Sequence, residues 1–226
     1  MESQKPKIAM YVKRPFGEKL NASFDFLKEN WKLLLKFTTY LLLPLCLIQA
    51  LSLNGLMSGA LSISAIASST AMAASSSSLI AFGSYYGLYM FLYLIGIILL
   101  TSLVYGLIRT YNEREERLQG VTLGMLKPRL FRNIKRLLLM TGACILLVLF
   151  VGIFVGLLVA LTPFTLFLTI PFIIAFSVPL ALLAPIYLFE DITLMEAFKK
   201  TFRLGFATWG GVFLVSLLMG IIANVL

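Results

Sequence analysis

Apolar residues fill two long blocks of this chain, residues 37–108 and 137–189, and a shorter one from residue 204 to Leu226, and no block contains a charged side chain. A helix needs about 20 such residues to cross a hydrocarbon core of roughly 30 Å. The first block therefore has room for two spans, near residues 33–56 and 79–108. The second holds a hairpin near residues 137–161 and 166–188, turning at Leu161-Thr162-Pro163-Phe164, where Pro163 fixes φ and offers no N–H. A fifth span is predicted near residues 207–226. The Ser- and Ala-rich stretch between the first two spans, residues 58–78, is read as an outer loop or a helix lying at the outer surface. A crossing there would carry the next basic cluster to the opposite side of the membrane from the first. Span four carries Pro171, Pro179 and Pro185, each of which removes a helix hydrogen bond, and kinks are expected there.

The polar stretches have a pattern of their own. Phe16, Leu20, Phe24, Leu27 and Trp31 recur at helical spacing, as do Leu194, Phe198, Phe202 and Trp209, with charges on the other faces. Such segments are expected to lie flat at headgroup level, with Trp31 and Trp209 as interfacial anchors where the chain turns into the membrane. Thr193-Leu194-Met195-Glu196 fits a capping box. Pro128 is expected to start the middle helix late. Glu113, Arg114, Glu115, Glu116 and Arg117 read as a solvated continuation of the second span, with Gly120 as its stop.

These stretches resemble one another. At an offset of 71, Val121-Thr122-Leu123 matches Ile192-Thr193-Leu194, and Phe131-Arg132 matches Phe202-Arg203; at 178, Phe24 and Trp31 match Phe202 and Trp209. A threefold pseudo-repeat follows, each unit an amphipathic helix and a two-span hairpin: residues 13–108, 120–189 and 190–226 of a single integral membrane domain, 1–226. The third unit lacks its second span, so the pattern predicts a sixth beyond Leu226 in a complete protein, in preference to the alternative of a genuine five-span protein. The fold class expected is all-α, a polytopic transmembrane helix bundle with five spans in this chain and amphipathic interfacial helices on the cytoplasmic side.

Charge fixes the orientation. All 19 Lys and Arg and all 10 Asp and Glu fall within residues 1–36, 109–136 and 190–203. A charge at mid-membrane costs about 2.5–3.5 kcal/mol, which accounts for the bare blocks between them. Positive-inside logic places the three clusters, and the N-terminus, in the cytoplasm. The net charge of +9 is read as attraction to anionic headgroups rather than to nucleic acid, because the basic residues flank the spans. The first apolar run begins too late for a cleaved signal peptide, so the first span is expected to stay as an anchor.

The chemical inventory is small. The chain has no His, which removes His general bases and His-ligated metals, and no nucleotide-binding or hydrolase motif is present. No catalytic, metal or cofactor site is expected. Cys46 and Cys144 lie inside apolar runs. Three residues are weak functional candidates: Pro179 in the kinked span, and Glu190 and Asp191 at its inner end, facing Lys199, Lys200 and Arg203. The structural alternative, preferred, is that the two carboxylates favour the start of the following helix through its dipole. Gly83 with Gly87, and Gly152 with Gly156, form GxxxG pairs suited to close helix packing, with intramolecular use preferred.

The strings FGEKLNASFDFLKENWKLLLKFTTYLLLP and APIYLFEDITLMEAFKKTF resemble a loose group of bacterial multi-spanning proteins of unknown function. That group is similar to the membrane domain preceding the catalytic domain of some glycerophosphoryl diester phosphodiesterases. The resemblance implies six spans, a bacterial cytoplasmic (inner) membrane and no assigned site; the catalytic domain is absent from this chain. The functional expectation is a non-enzymatic membrane module that associates with anionic lipid, a membrane-protein partner or a second copy of itself. A permease or channel-like subunit for a neutral or lipidic solute comes next, and a membrane enzyme of lipid metabolism third.

Overall fold

A computed structural model describes residues 6–9, 12–68, 76–162 and 164–225. The described chain is all-α, with no strand: α1 (Phe16–Ser68), α2 (Ser76–Glu113), α3 (Leu123–Leu161), α4 (Thr165–Leu180), α5 (Leu183–Phe189), α6 (Leu194–Ala207) and α7 (Trp209–Val225). By length and composition α1, α2, α3 and the α4–α5 segment can each cross a membrane, and α6 with α7, bent by 91°, makes a fifth when the two are counted as one. The chain is a multi-pass membrane protein. Most of α3 between Leu138 and Leu157 is apolar and exposed, as on Leu146, Val148 and Phe150, a surface suited to lipid or to another membrane helix.

The structure corrects three local expectations. No turn occurs at Trp31: α1 runs 53 residues without a break, so its amphipathic start and its span form one helix. The reason is local, since Lys32-Leu33-Leu34-Leu35-Lys36 are good helix formers and no breaker follows until Pro44. Pro128 does not delay α3, which begins five residues earlier and forgoes one hydrogen bond, to the Gly124 carbonyl. The second span is not continued to Gly120, because α2 ends at Glu113 and residues 115–120 form turns. Arg117 (φ 59°) and Gly120 (φ 66°) both take the left-handed conformation there, and buried Leu118 and Val121 pin the turn to the core.

Other expectations agree with the structure. The hairpin turn falls between α3 and α4, where Thr165 donates its hydroxyl to the Thr162 carbonyl at 2.7 Å; Pro163 itself lies outside the described residues. Span four is broken, α4 ending one residue after Pro179. Pro185 withdraws the N–H that the Ala181 carbonyl would accept, at the point of the break. Of the serine-rich stretch, residues 58–68 end α1 and 76–78 begin α2, while residues 69–75 lie outside the described residues.

The chain divides into two compact units, one of Met1–Met10 with Asn21–Leu130, the other of Tyr11–Leu20 with Phe131–Leu226. In the first, Phe26 and Phe37 of α1, Leu103, Leu107 and Tyr111 of α2, and Leu126 and Leu130 at the start of α3 share one core. In the second, Leu183 and Tyr187 of α5 meet Ala197 of α6, with Met140 and Cys144 of α3 packed against them.

Candidate functional site

The α5–α6 junction carries two of the sequence candidates. Asp191 adopts φ 54°, the left-handed region that non-glycine residues seldom occupy, and this redirects the chain from α5 into α6. Arg136 of α3 holds the junction: its Nη2 donates to the Tyr187 carbonyl at 2.6 Å and to the Ile192 carbonyl at 2.8 Å, and its Nη1 lies 3.3 Å from the Asp191 carboxylate. The guanidinium carbon also sits 4.1 Å from the centroid of the Tyr187 ring. Arg132, one turn earlier, pairs with the same carboxylate. Glu190 takes only one of the three basic residues proposed for it, Lys200 at 2.6 Å.

The capping box at the start of α6 is present: the Thr193 amide donates to Glu196 at 3.0 Å and the Glu196 amide to the Thr193 hydroxyl at 3.4 Å. The Thr193 amide and hydroxyl hold the Glu196 carboxyl below the usual glutamate range.

Pro179 has a structural partner. Lacking an N–H, it cannot bond the Ala175 carbonyl four residues earlier, and the indole Nε1 of Trp209 donates to that carbonyl at 3.0 Å. Gly205 brings α6 against the same proline, since a Cβ built on it would lie 2.6 Å from the Pro179 Cα. Phe176 packs edge-on to Phe202 and Phe206 beside this join. Trp209 thus anchors one helix to another, whereas Trp31 is exposed at 55% with Lys32 Nζ 5.9 Å from its ring.

Sequence reasoning missed a second polar cluster, around Tyr111. The Tyr111 hydroxyl donates to Glu29 Oε2 at 3.2 Å and accepts the Ile8 amide, also at 3.2 Å. Arg117 binds the other Glu29 oxygen at 2.8 Å, and Lys7 caps the end of α2 through the Asn112 carbonyl at 2.8 Å. Phe26 meets the Tyr111 ring edge-on at 5.2 Å. Arg129 adds a bond to the Thr110 hydroxyl at 3.0 Å and a pair with Glu113. The available signal was a tyrosine at the end of each span that precedes a charged cluster, Tyr111 and Tyr187. Its partners, up to 103 residues away, leave no trace in local sequence.

Among the described residues nothing packs against the GxxxG glycines. A Cβ on Gly83, Gly87, Gly152 or Gly156 would meet nothing within 4 Å, so no described neighbour lies against them; the close approaches fall at Gly205 and at Gly55, which abuts the Tyr85 ring. Among the described residues no group of three or more Cys, Asp and Glu is placed to hold a metal. No family model matches the chain, and no curated protein and no solved structure matches it either.

Proposed function

We propose that this protein is a membrane module that works by association, with anionic lipid headgroups or with a membrane partner, in the inner membrane of a bacterium and with its N-terminus cytoplasmic. The observation that carries the reading is α6, an amphipathic helix bent 91° from the apolar α7, with Lys199 and Arg203 exposed and in no ion pair among the described residues. A helix of that kind beside a span suits the headgroup layer and its negative potential. The charged groups of the α5–α6 junction and of the Tyr111 cluster are largely committed to holding helix ends, which fits a scaffold better than a reactive centre. The likeness to the membrane domain of certain phosphodiesterases belongs to the same proposal. Native mass spectrometry after purification in mild detergent tests it: retained anionic phospholipid or a stoichiometric partner is expected, and neither being retained would sink it.

The break between α4 and α5 supports the permease reading as second, since broken helices are a route to substrate binding without charged side chains. Solute flux in proteoliposomes that is lost on altering Pro179 would raise it above the first.

A further inference from the structure

Lys28, Lys32 and Lys36 stand four residues apart on α1, so they share one face of the helix. All three are exposed, and none has a carboxylate partner among the described residues. Like charges at this spacing destabilise a helix unless an anion lies between them. The nearest acidic side chains do not supply one. Both Glu29 oxygens are engaged, by Arg117 and Tyr111, and Asp25 forms no ion pair among the described residues.

The lysines border two adjoining hollows that meet at Trp31 and Lys32. The first, about 320 Å³, has a mixed lining in which Lys28, Lys32 and Arg117 stand beside Glu29, Trp31 and Leu33. The second, about 720 Å³, is an apolar groove formed by Leu35, Phe37, Tyr40 and Leu123, with Lys36 at its edge. Its volume lies within the roughly 300–1,000 Å³ usual for small-molecule sites. Lys36 is the last charge before the uncharged block begins at Phe37, so the first hollow lies on the headgroup side of that boundary and the groove extends past it. A hollow edged by three basic side chains, sharing Trp31 and Lys32 with an apolar trough, matches a molecule with an anionic head and a hydrocarbon tail.

We propose that this face of α1 binds an anionic glycerophospholipid, its phosphate held by Lys28, Lys32 and Lys36 and one acyl chain lying along Leu35, Tyr40 and Leu123. Trp31 stands where head and tail meet, the level at which amphipathic rings are favoured. The inference rests on the association reading above and names its ligand class and its site.

Native mass spectrometry of the full chain with phosphatidylglycerol, phosphatidylcholine or inorganic phosphate tests it. Phosphatidylglycerol should be retained in preference to phosphatidylcholine and not be displaced by phosphate. Lys28→Gln, Lys32→Gln and Lys36→Gln together should lower that retention about tenfold or more. Removing the same charge elsewhere, with Lys13→Gln, Lys127→Gln and Lys135→Gln, should leave it unchanged. Equal retention by the two triple variants overturns the site and leaves the association reading standing, as does a protein partner retained without phosphatidylglycerol. Displacement by phosphate alone overturns the lipid assignment, and retention of nothing defeats both readings. A measurement on the unaltered protein guards against a variant that fails to fold: photoactivatable phosphatidylglycerol should crosslink to peptides containing Leu35, Tyr40 or Leu123. Crosslinks confined to other segments overturn the proposal.

Discussion

The indole N–H of Trp209 donates to the Ala175 carbonyl at 3.0 Å, the carbonyl that Pro179 leaves without its helical partner. An unpaired carbonyl is costly at membrane depth, and a neighbouring helix that supplies a donor removes the cost. Trp209→Phe keeps the ring stacked on Phe213 at 5.0 Å but deletes the donor. The expected loss is about 1–2 kcal/mol, read from unfolding in detergent. In a Pro179→Ala background the restored amide takes over the carbonyl, so the same substitution should cost clearly less. Additive effects would show that the bond and the proline are unrelated.

The same join makes opposite predictions for two glycines. Gly205→Ala would drive a Cβ to 2.6 Å from the Pro179 backbone, and α6 would have to move away from α4. A cost of about 1–3 kcal/mol is expected, as for overpacking elsewhere. Gly83→Ala meets open space and should be neutral or slightly stabilising, since alanine is the better helix former. Thermal shifts of equal size for the two would contradict the packing described.

Arg136 ties α3 to both ends of the α5–α6 turn. Arg136→Lys retains the charge but loses the planar fork that reaches the Tyr187 and Ile192 carbonyls together and the face it lays on the Tyr187 ring. A loss of about 2–3 kcal/mol is expected. Asp191→Asn should cost less, because the two carbonyl bonds survive. Unfolding midpoints ranked the other way would mean that the carboxylate, not the carbonyls, holds the junction.

The two bends expected at tryptophans show what the sequence made legible and what it did not. Spans, charge boundaries and the Thr193 capping box could be read because each depends on residues within a turn or two of one another. The bend at Trp209 exists and the one at Trp31 does not, although both tryptophans follow an amphipathic stretch. Trp209 lies between Thr208 and Gly210-Gly211, poor helix formers, whereas Trp31 leads into Lys32-Leu33-Leu34-Leu35, which continue the helix. Local propensity decided, and the interfacial preference of tryptophan did not. The polar clusters were hidden for another reason: Glu29 and Tyr111 stand 82 residues apart, and only the fold brings them together. One long-range regularity was visible in outline. The offset of 71 that aligns Val121 with Ile192 also aligns Leu126 with Ala197 and Leu130 with Thr201, and all four of these latter residues are buried.

Acid should loosen the start of α6. In the folded chain the Thr193 amide and hydroxyl lower the Glu196 pKa below its unfolded value. Its contribution to stability is therefore complete above the unfolded glutamate pKa, about 4.3, and is lost as pH falls through the lower folded value. Unfolding temperature followed downward from about pH 6 should decline through this range more steeply in the native sequence than in Glu196→Gln. Parallel curves would mean that the capping box does not persist in the membrane-embedded protein.

The threading can be tested with two cysteines. Positive-inside logic puts the charged turn after α2 on the same side as the N-terminus and the start of α2 on the other, because one helix crosses between them. With Cys46 and Cys144 replaced by alanine, Ser76→Cys and Glu115→Cys place a thiol at each end of that crossing. Glu115 suits the test because it is exposed and has no ion-pair partner among the described residues, so its loss breaks no contact of the Tyr111 cluster. In intact inside-in bacterial cells an impermeant maleimide should label position 76 and spare position 115, and inverted vesicles should reverse the result. Labelling of both positions from one side would mean that α2, for all its apolar length, does not cross, and the orientation of every later helix would have to be redrawn.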